Sequence, residues 1–354
     1  MEKSSLNALA CGFKIIGNIV DIAPFGEGHI NKTYLVTTDR NKYILQRIND
    51  SIFKDVDSLM NNIEIVTSYI ASKGKETVKI IPFSDGKLFA KVDDGYYRML
   101  EFVKNTICYQ KVDGNMKLVE SAGEAFGELH LLLSGIDSKR IVEVIPDFHN
   151  TFKRYQNLLD AVNKALKEKL DAVKEELIFI KSGEKNYSII YDEIKKGNIK
   201  QRIIHNDTKI NNILFDKDKE TYRCVIDLDT LMPGSVLFDI GDAFRGFYTG
   251  DNEDNKDTSL LKVDKTVFKT FVNAYLSKMK NELSQKEIEL IPFSIYLMTI
   301  ECGIRFLEDY LRGNVYFHVD YEEHNLVRAR TQIALAKDVL AHLDELNEIV
   351  KSLL

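Results

Sequence analysis

Apolar residues follow two rhythms along this chain, and the change of rhythm divides it. Between Ile15 and Ile48, β-branched and aromatic residues come in short runs separated by turn residues, which is the strand signature. The turns fall at 26–31, with Gly26 and Gly28, and at 38–41, so three antiparallel strands are predicted. A short helix over 1–12 precedes them and closes at Gly12. Residues 53–73 switch to helical spacing, with Val56, Leu59, Met60, Ile63, Val66, Thr67 and Ile70 recurring every three or four positions. Strand signals return at 78–82, 88–92 and 96–103. Helical patterns then cover 119–134, 152–197, 263–283, 285–311 and 324 to the end. The prediction is an α+β chain: an N-terminal lobe over 1–103, built as an antiparallel sheet with a helix, and a larger, mainly helical C-terminal lobe over 104–354. In the helix at 119–134, Gly123 and Gly127 lie four apart, so another element is expected to pack closely there, and His130 on the same helix is expected to be structural.

One stretch fits neither rhythm. A short apolar run stops at His205, Asp207 follows two residues on, and Asn212 five after that. A second run, Cys224-Val225-Ile226, then delivers Asp227. Phosphoryl transfer needs a carboxylate to orient an acceptor hydroxyl and take its proton, and oxygen ligands to hold Mg2+ against nucleotide phosphates. The order H-x-D-x-x-x-x-N, followed by a strand-end Asp, supplies both sets. Asn and Asp also populate ordinary turns. Here all four elements occur in order, each flanked by strand-like residues, and that carries the chemical reading.

Other positions take their meaning from that loop. The Gly26-x-Gly28 turn lies between two strands, where glycines let main-chain N–H groups approach an anion closely. The third strand holds Gln46, with Arg47 beside it, where a kinase-like strand carries lysine. Three arrangements stay open: Gln46 as a neutral donor, a bulge that turns Arg47 inward, or a cation from elsewhere. Glu64 is a candidate helix carboxylate for the cleft, or else a solvated one. The main chain of Glu101 and Val103 is placed to hold an adenine edge. Asp239 and Asp242 are expected to anchor structure near the loop.

A net charge of −6 gives no basic face for general nucleic-acid binding. Four widely spaced cysteines (Cys11, Cys108, Cys224, Cys302) form no C-x-x-C pair and are expected to be buried free thiols. No signal segment and no stretch of membrane-spanning length is expected. Two glycosylation sequons, at Asn31 and Asn206, fall in the predicted site, where a glycan would block function. A cytoplasmic location is expected.

Nearly the whole chain resembles the aminoglycoside phosphotransferase and choline kinase superfamily. Several segments resemble bacterial N-acetylhexosamine 1-kinases in particular: GEGHINKTY (26–34), YILQRIN (43–49), IPDFHNT (145–151), HNDTKINN (205–212), VIDLDTLMPG (225–234), DIGDAFR (239–245) and RFLEDYLRGNVYF (305–317). The resemblance implies a bilobal protein-kinase-like fold, ATP and Mg2+, and phosphorylation of the anomeric hydroxyl of N-acetylglucosamine or N-acetylgalactosamine. It implies Asp207 as the base, Asn212 and Asp227 as Mg2+ ligands with Asp229 assisting, and His29, Arg305 and Tyr316 near the sugar. The partners implied are the sugar and ATP, with no nucleic acid and no membrane. A kinase of another small alcohol (choline, homoserine or an aminoglycoside) and a nucleotide-binding pseudokinase are the alternatives.

Overall fold

A computed structural model describes residues 3–26, 31–249 and 253–354. The chain begins with α1 (Lys3–Cys11), β1 (Ile19–Pro24), β2 (Lys32–Thr38), β3 (Lys42–Ile48) and α2 (Val56–Ser72). Next come β4 (Ile80–Ile81), β5 (Ala90–Val92) and β6 (Gly95–Glu101). These strands form one antiparallel sheet in the order β1-β2-β3-β6-β4, with β5 on β6. Tyr43 and Leu45 bury one face of β3 against α1, and Ile48 faces the opposite way into the larger core. The α2 helix starts at Val56 because the Asp55 side chain caps it by accepting from Ser58 N–H. Its buried face, from Val56 to Ile70, belongs to the same core as the helices beyond residue 103.

The rest of the chain is mainly helical. It runs through β7 (Thr106–Ile107), α3 (Met116–Leu133), α4 (Thr151–Val162), α5 (Lys167–Ala172), α6 (Lys174–Ser182) and α7 (Ile189–Lys195). Four short strands follow: β8 (Arg202–Ile204), β9 (Ile213–Asp216), β10 (Tyr222–Val225) and β11 (Met232–Gly234). The last helices are α8 (Val236–Thr249), α9 (Lys265–Met279), α10 (Gln285–Arg312), α11 (His324–Ala341) and α12 (Leu343–Ser352). β8 pairs with β11, and β9 with both β10 and β7. The loop 205–212 therefore lies between β8 and β9, beside the loop 227–231 that joins β10 to β11. This is the α+β, bilobal protein-kinase-like fold.

Close packing at the α3 glycines is as expected. A Cβ on Gly123 would stand 2.6 Å from the Phe271 carbonyl oxygen of α9, and one on Gly127 3.0 Å from that of Tyr275.

Two expectations are corrected. α10 is long and apolar enough to cross a membrane, with a mean hydropathy of 1.5 over 18 residues, but 83% of that window is buried inside the protein. It is the central core helix, packed on α4, α8 and α11. The four cysteines are all free, but only Cys224 is buried; Cys11 and Cys108 are exposed and Cys302 is half-buried.

Candidate active site

The loop after β8 is shaped by a carboxylate from α8. Asp239 accepts from His205 N–H and Asn206 N–H, both at 2.7 Å, and from the His130 ring at 2.8 Å. Asp242 accepts from Thr208 N–H at 3.1 Å. Asn206 takes a left-handed conformation (φ 67°), which Asn tolerates better than most residues. Its amide donates to Thr230 O, while the Thr230 hydroxyl donates to His205 O. The Asp239 and Asp242 carboxylates thus anchor the loop itself, and His130 is structural as expected.

His205 ties the two loops together. Its Nδ1 accepts from Asp207 N–H at 3.2 Å, so Nε2 carries the proton and donates to Ile226 O at 2.8 Å. Asp207 and Asp227 are thereby held on neighbouring loops. Asn212 donates its amide to the Asp207 main-chain oxygen (2.7 Å) and carboxylate (3.1 Å). Its side-chain oxygen is left without a hydrogen bond among the described residues. Lys209, two residues past Asp207, stands 3.2 Å from its carboxylate, and that charge raises the lysine pKa.

Asp227 sits in a left-handed conformation (φ 59°) at the end of β10. Its carboxylate makes no hydrogen bond among the described residues. It is open to solvent on one side, with the Asp207 and Asp229 carboxylates near it. Burial pushes its pKa up to about 6, and the Asp229 and Asp207 charges add to the rise. An unpaired carboxylate beside a free amide oxygen is a hard-oxygen donor set, which fits Mg2+; this ion takes few protein ligands and completes its shell with water and phosphate. Asp229 differs, being 4% exposed with both oxygens engaged. Arg98 Nη1 holds one, and Asn31 Nδ2 donates to the other at 2.7 Å.

Across the cleft, β3 pairs with β2 and β6 without a register shift through Gln46 and Arg47. No bulge turns Arg47 inward: it points to the other face and donates to the Asp94 carbonyl oxygen. Gln46 accepts from Arg98 Nε at 2.9 Å. Glu64 is half-buried and accepts from the Ser68 hydroxyl of its own helix. The Glu101 N–H donates to Lys79 O, which leaves its carbonyl and the Val103 N–H as the pair facing outward at the end of the sheet. Gly26 is left-handed (φ 75°) at the start of its turn; Gly28 and His29 lie outside the described residues.

On the C-terminal side, α4 and α10 meet beside the loop. Glu301 accepts from the Thr151 hydroxyl (2.6 Å) and from His149, whose other ring nitrogen donates to Asn206 O. Burial alone would lower the His149 pKa, but the Glu301 charge outweighs it and raises it, and the imidazole braces the residue before Asp207 with both ring nitrogens facing acceptors. Arg305, one turn beyond Glu301, lies over the Phe317 ring at 5.6 Å. Arg154, one turn beyond Thr151, has a buried Nε with no partner. Burial lowers the Arg154 pKa and the neighbouring Arg305 charge lowers it further. Tyr316 is 65% exposed, on a loop whose N–H groups at 315–317 all donate to Asp309.

The structure therefore joins Asp207, Asn212, Asp227 and Asp229 in one cleft, with Gln46 reaching them through Arg98. Sequence reasoning missed Arg98, His149, Arg154 and Lys209 as members of the site, and placed Asn31 there only as a sequon residue. Only Lys209 had a local signal, a cation two residues past Asp207.

Comparison with known proteins gives the same architecture. The family model described as "Phosphotransferase enzyme family" matches residues 21–260, more than half of the chain. A choline kinase from Cryptosporidium parvum Iowa II is similar at 15% identity and a TM-score of 0.61, covering 99% of each chain. An aminoglycoside phosphotransferase from Alicyclobacillus acidocaldarius matches at 14% identity and TM-score 0.60, over 98% of this chain and 96% of that one. Spectinomycin phosphotransferase, solved with ADP and spectinomycin, matches at 12% identity and TM-score 0.60, over 96% and 98%. At such identities the likeness is one of fold.

Proposed function

The chain belongs to the phosphotransferase enzyme family, and from that premise we propose that it transfers the terminal phosphoryl group of ATP to the anomeric hydroxyl of N-acetylglucosamine or N-acetylgalactosamine. The observation that carries the reading is the cleft where an unpaired Asp227 carboxylate and the free Asn212 oxygen meet the Asp207–Lys209 pair. Asp207 orients the acceptor hydroxyl and takes its proton. An anomeric hydroxyl is more acidic than an ordinary alcohol, so it suits a plain carboxylate base. Lys209 pairs with the Asp207 carboxylate and offers a positive charge beside the transferred group. Asn212 and Asp227 would hold Mg2+, which when bound offsets phosphate charge.

In this reading residues 1–103 form the nucleotide lobe. The Glu101 carbonyl and Val103 N–H face the adenine edge, the turn with Gly26 and Gly28 covers the phosphates, and Gln46 serves the same site. Residues 104–354 bring the base and the sugar grips. Of these grips Arg305 and Tyr316 hold the ring together with His29 from the nucleotide lobe, and closure of the two lobes excludes water. An uncharged acceptor is favoured over choline, an aminoglycoside or another cation by the two neighbouring guanidiniums of Arg154 and Arg305. The carboxylates around them are already engaged, Glu301 by His149 and Glu308 by Arg312. Like charges at such a site repel a cationic substrate. Free thiols and the buried sequon residues Asn31 and Asn206 support action in the cytoplasm.

The test is a panel of the two free sugars, their methyl glycosides, choline, homoserine and an aminoglycoside, each with ATP and Mg2+, with the product read by phosphorus NMR. The free sugars are expected to give 1-phosphates and the methyl glycosides to be inert. Turnover of a methyl glycoside or of choline would replace this reading with that of another small-alcohol kinase. ADP binding with no turnover of any acceptor would favour a pseudokinase.

A further inference from the structure

A kinase-like third strand delivers a lysine to the phosphates, paired with a helix glutamate. Neither is seen here: the strand position is Gln46, and the Glu64 carboxylate accepts from Ser68 on its own helix. The sheet register shows what stands in the gap. Gln46 is in register with Thr33 on β2 and with Arg98 on β6, so the three side chains form one row on one face. The Gln46 amide donates to Thr33 at 3.2 Å and its oxygen accepts from Arg98 Nε at 2.9 Å. Arg98 then reaches across the cleft to Asp229, two residues past Asp227. A lysine at 46 would set a second cation against this guanidinium, whereas a glutamine can accept from it.

The far end of the row is equally well defined. Asp229 is held on its other oxygen by Asn31, whose own oxygen accepts from Asn49 N–H at 3.0 Å. The segment just after the Gly26 turn, the β3–β6 face and the Asp227 loop thus converge on one buried guanidinium, itself 2% exposed. The second terminal nitrogen of Arg98 has no hydrogen bond among the described residues. An arginine kept this far from water needs an anion beside it, and Asp229 supplies one while leaving that nitrogen for another.

Resting on the phosphotransferase reading above, we propose that Arg98 is the cation of the phosphate site in place of a third-strand lysine, with Gln46 orienting it and Asp229 anchoring it.

The experiment compares ADP and adenosine binding by calorimetry, with and without Mg2+. Arg98→Met alone would strand a buried carboxylate, so the informative variant is Arg98→Met with Asp229→Asn, which removes both charges together. ADP affinity is expected to fall about 10- to 100-fold, the worth of one charge-assisted hydrogen bond, while adenosine affinity stays unchanged. Adding Gln46→Lys to that variant returns a cation to the same face and is expected to restore most of the ADP affinity. Arg47→Gln, on the opposite face, is expected to change neither ligand. Wild-type ADP affinity in the double variant, or a parallel loss of adenosine affinity, would make Arg98 a structural residue and overturn the proposal, leaving the phosphotransferase reading in place. A wild-type protein that binds neither ADP nor adenosine would bring down both.

Discussion

Asp239→Asn is the sharpest probe of how the loop is built. The native carboxylate is 1% exposed and accepts three hydrogen bonds, from His205 N–H, Asn206 N–H and the His130 ring. An asparagine has one acceptor oxygen. With that oxygen in the Oδ2 place, His205 and His130 keep their partner and the new NH2 faces the Asn206 N–H. With it in the Oδ1 place, the His205 N–H loses its acceptor instead. Either way a buried main-chain donor is left facing another donor, which costs about 1–3 kcal/mol, and the remaining bonds lose the assistance of a full charge. The expected loss of stability is about 2–4 kcal/mol. Because the two N–H groups belong to the residues just before Asp207, turnover should also fall at temperatures where the variant is still folded. Denaturant titration followed by circular dichroism, alongside a phosphotransfer assay, measures both. A loss below about 1 kcal/mol with normal turnover would refute the view that Asp239 sets the loop.

If Asp207 is the base, as proposed, Asp207→Asn keeps the shape but removes the proton acceptor, so turnover should fall roughly 10²- to 10⁴-fold with ADP affinity little changed; steady-state kinetics near wild type would place the base elsewhere. Gly123→Ala drives a Cβ to 2.6 Å from the Phe271 carbonyl oxygen, an overpacking cost of about 1–3 kcal/mol against about 1 kcal/mol gained in helix propensity. Gly246→Ala, on α8 with nothing within 4 Å of the new Cβ, should instead be neutral or slightly stabilising; equal melting shifts for the two glycine variants would contradict the packing account.

Local chemistry explains what the sequence alone determined. The alternation at 43–48 and the three-four spacing at 56–70 depend on which residues can share one face of one element, so both elements were readable with their buried sides. The order His205, Asp207, Asn212, Asp227 was readable because one continuous stretch carries it. Gly123 and Gly127 announced a close helix contact, since four residues return to the same face. Folding decided everything that depends on partners far apart in the chain. Gln46 meets Arg98 only because β3 pairs with β6, and no pattern near either residue encodes that register. Asn31 and Asp229, 198 positions apart, meet only where the sheet faces the loop after β10. The anchoring of His205 and Asn206 by Asp239, and of Asn206 by His149, needs α8 and α4 packed against the loop. A carboxylate's neighbours set whether it is free, like Asp227, or occupied, like Asp229. Those neighbours come from three separate parts of the chain, so the distinction between two aspartates two residues apart exists only in the folded protein.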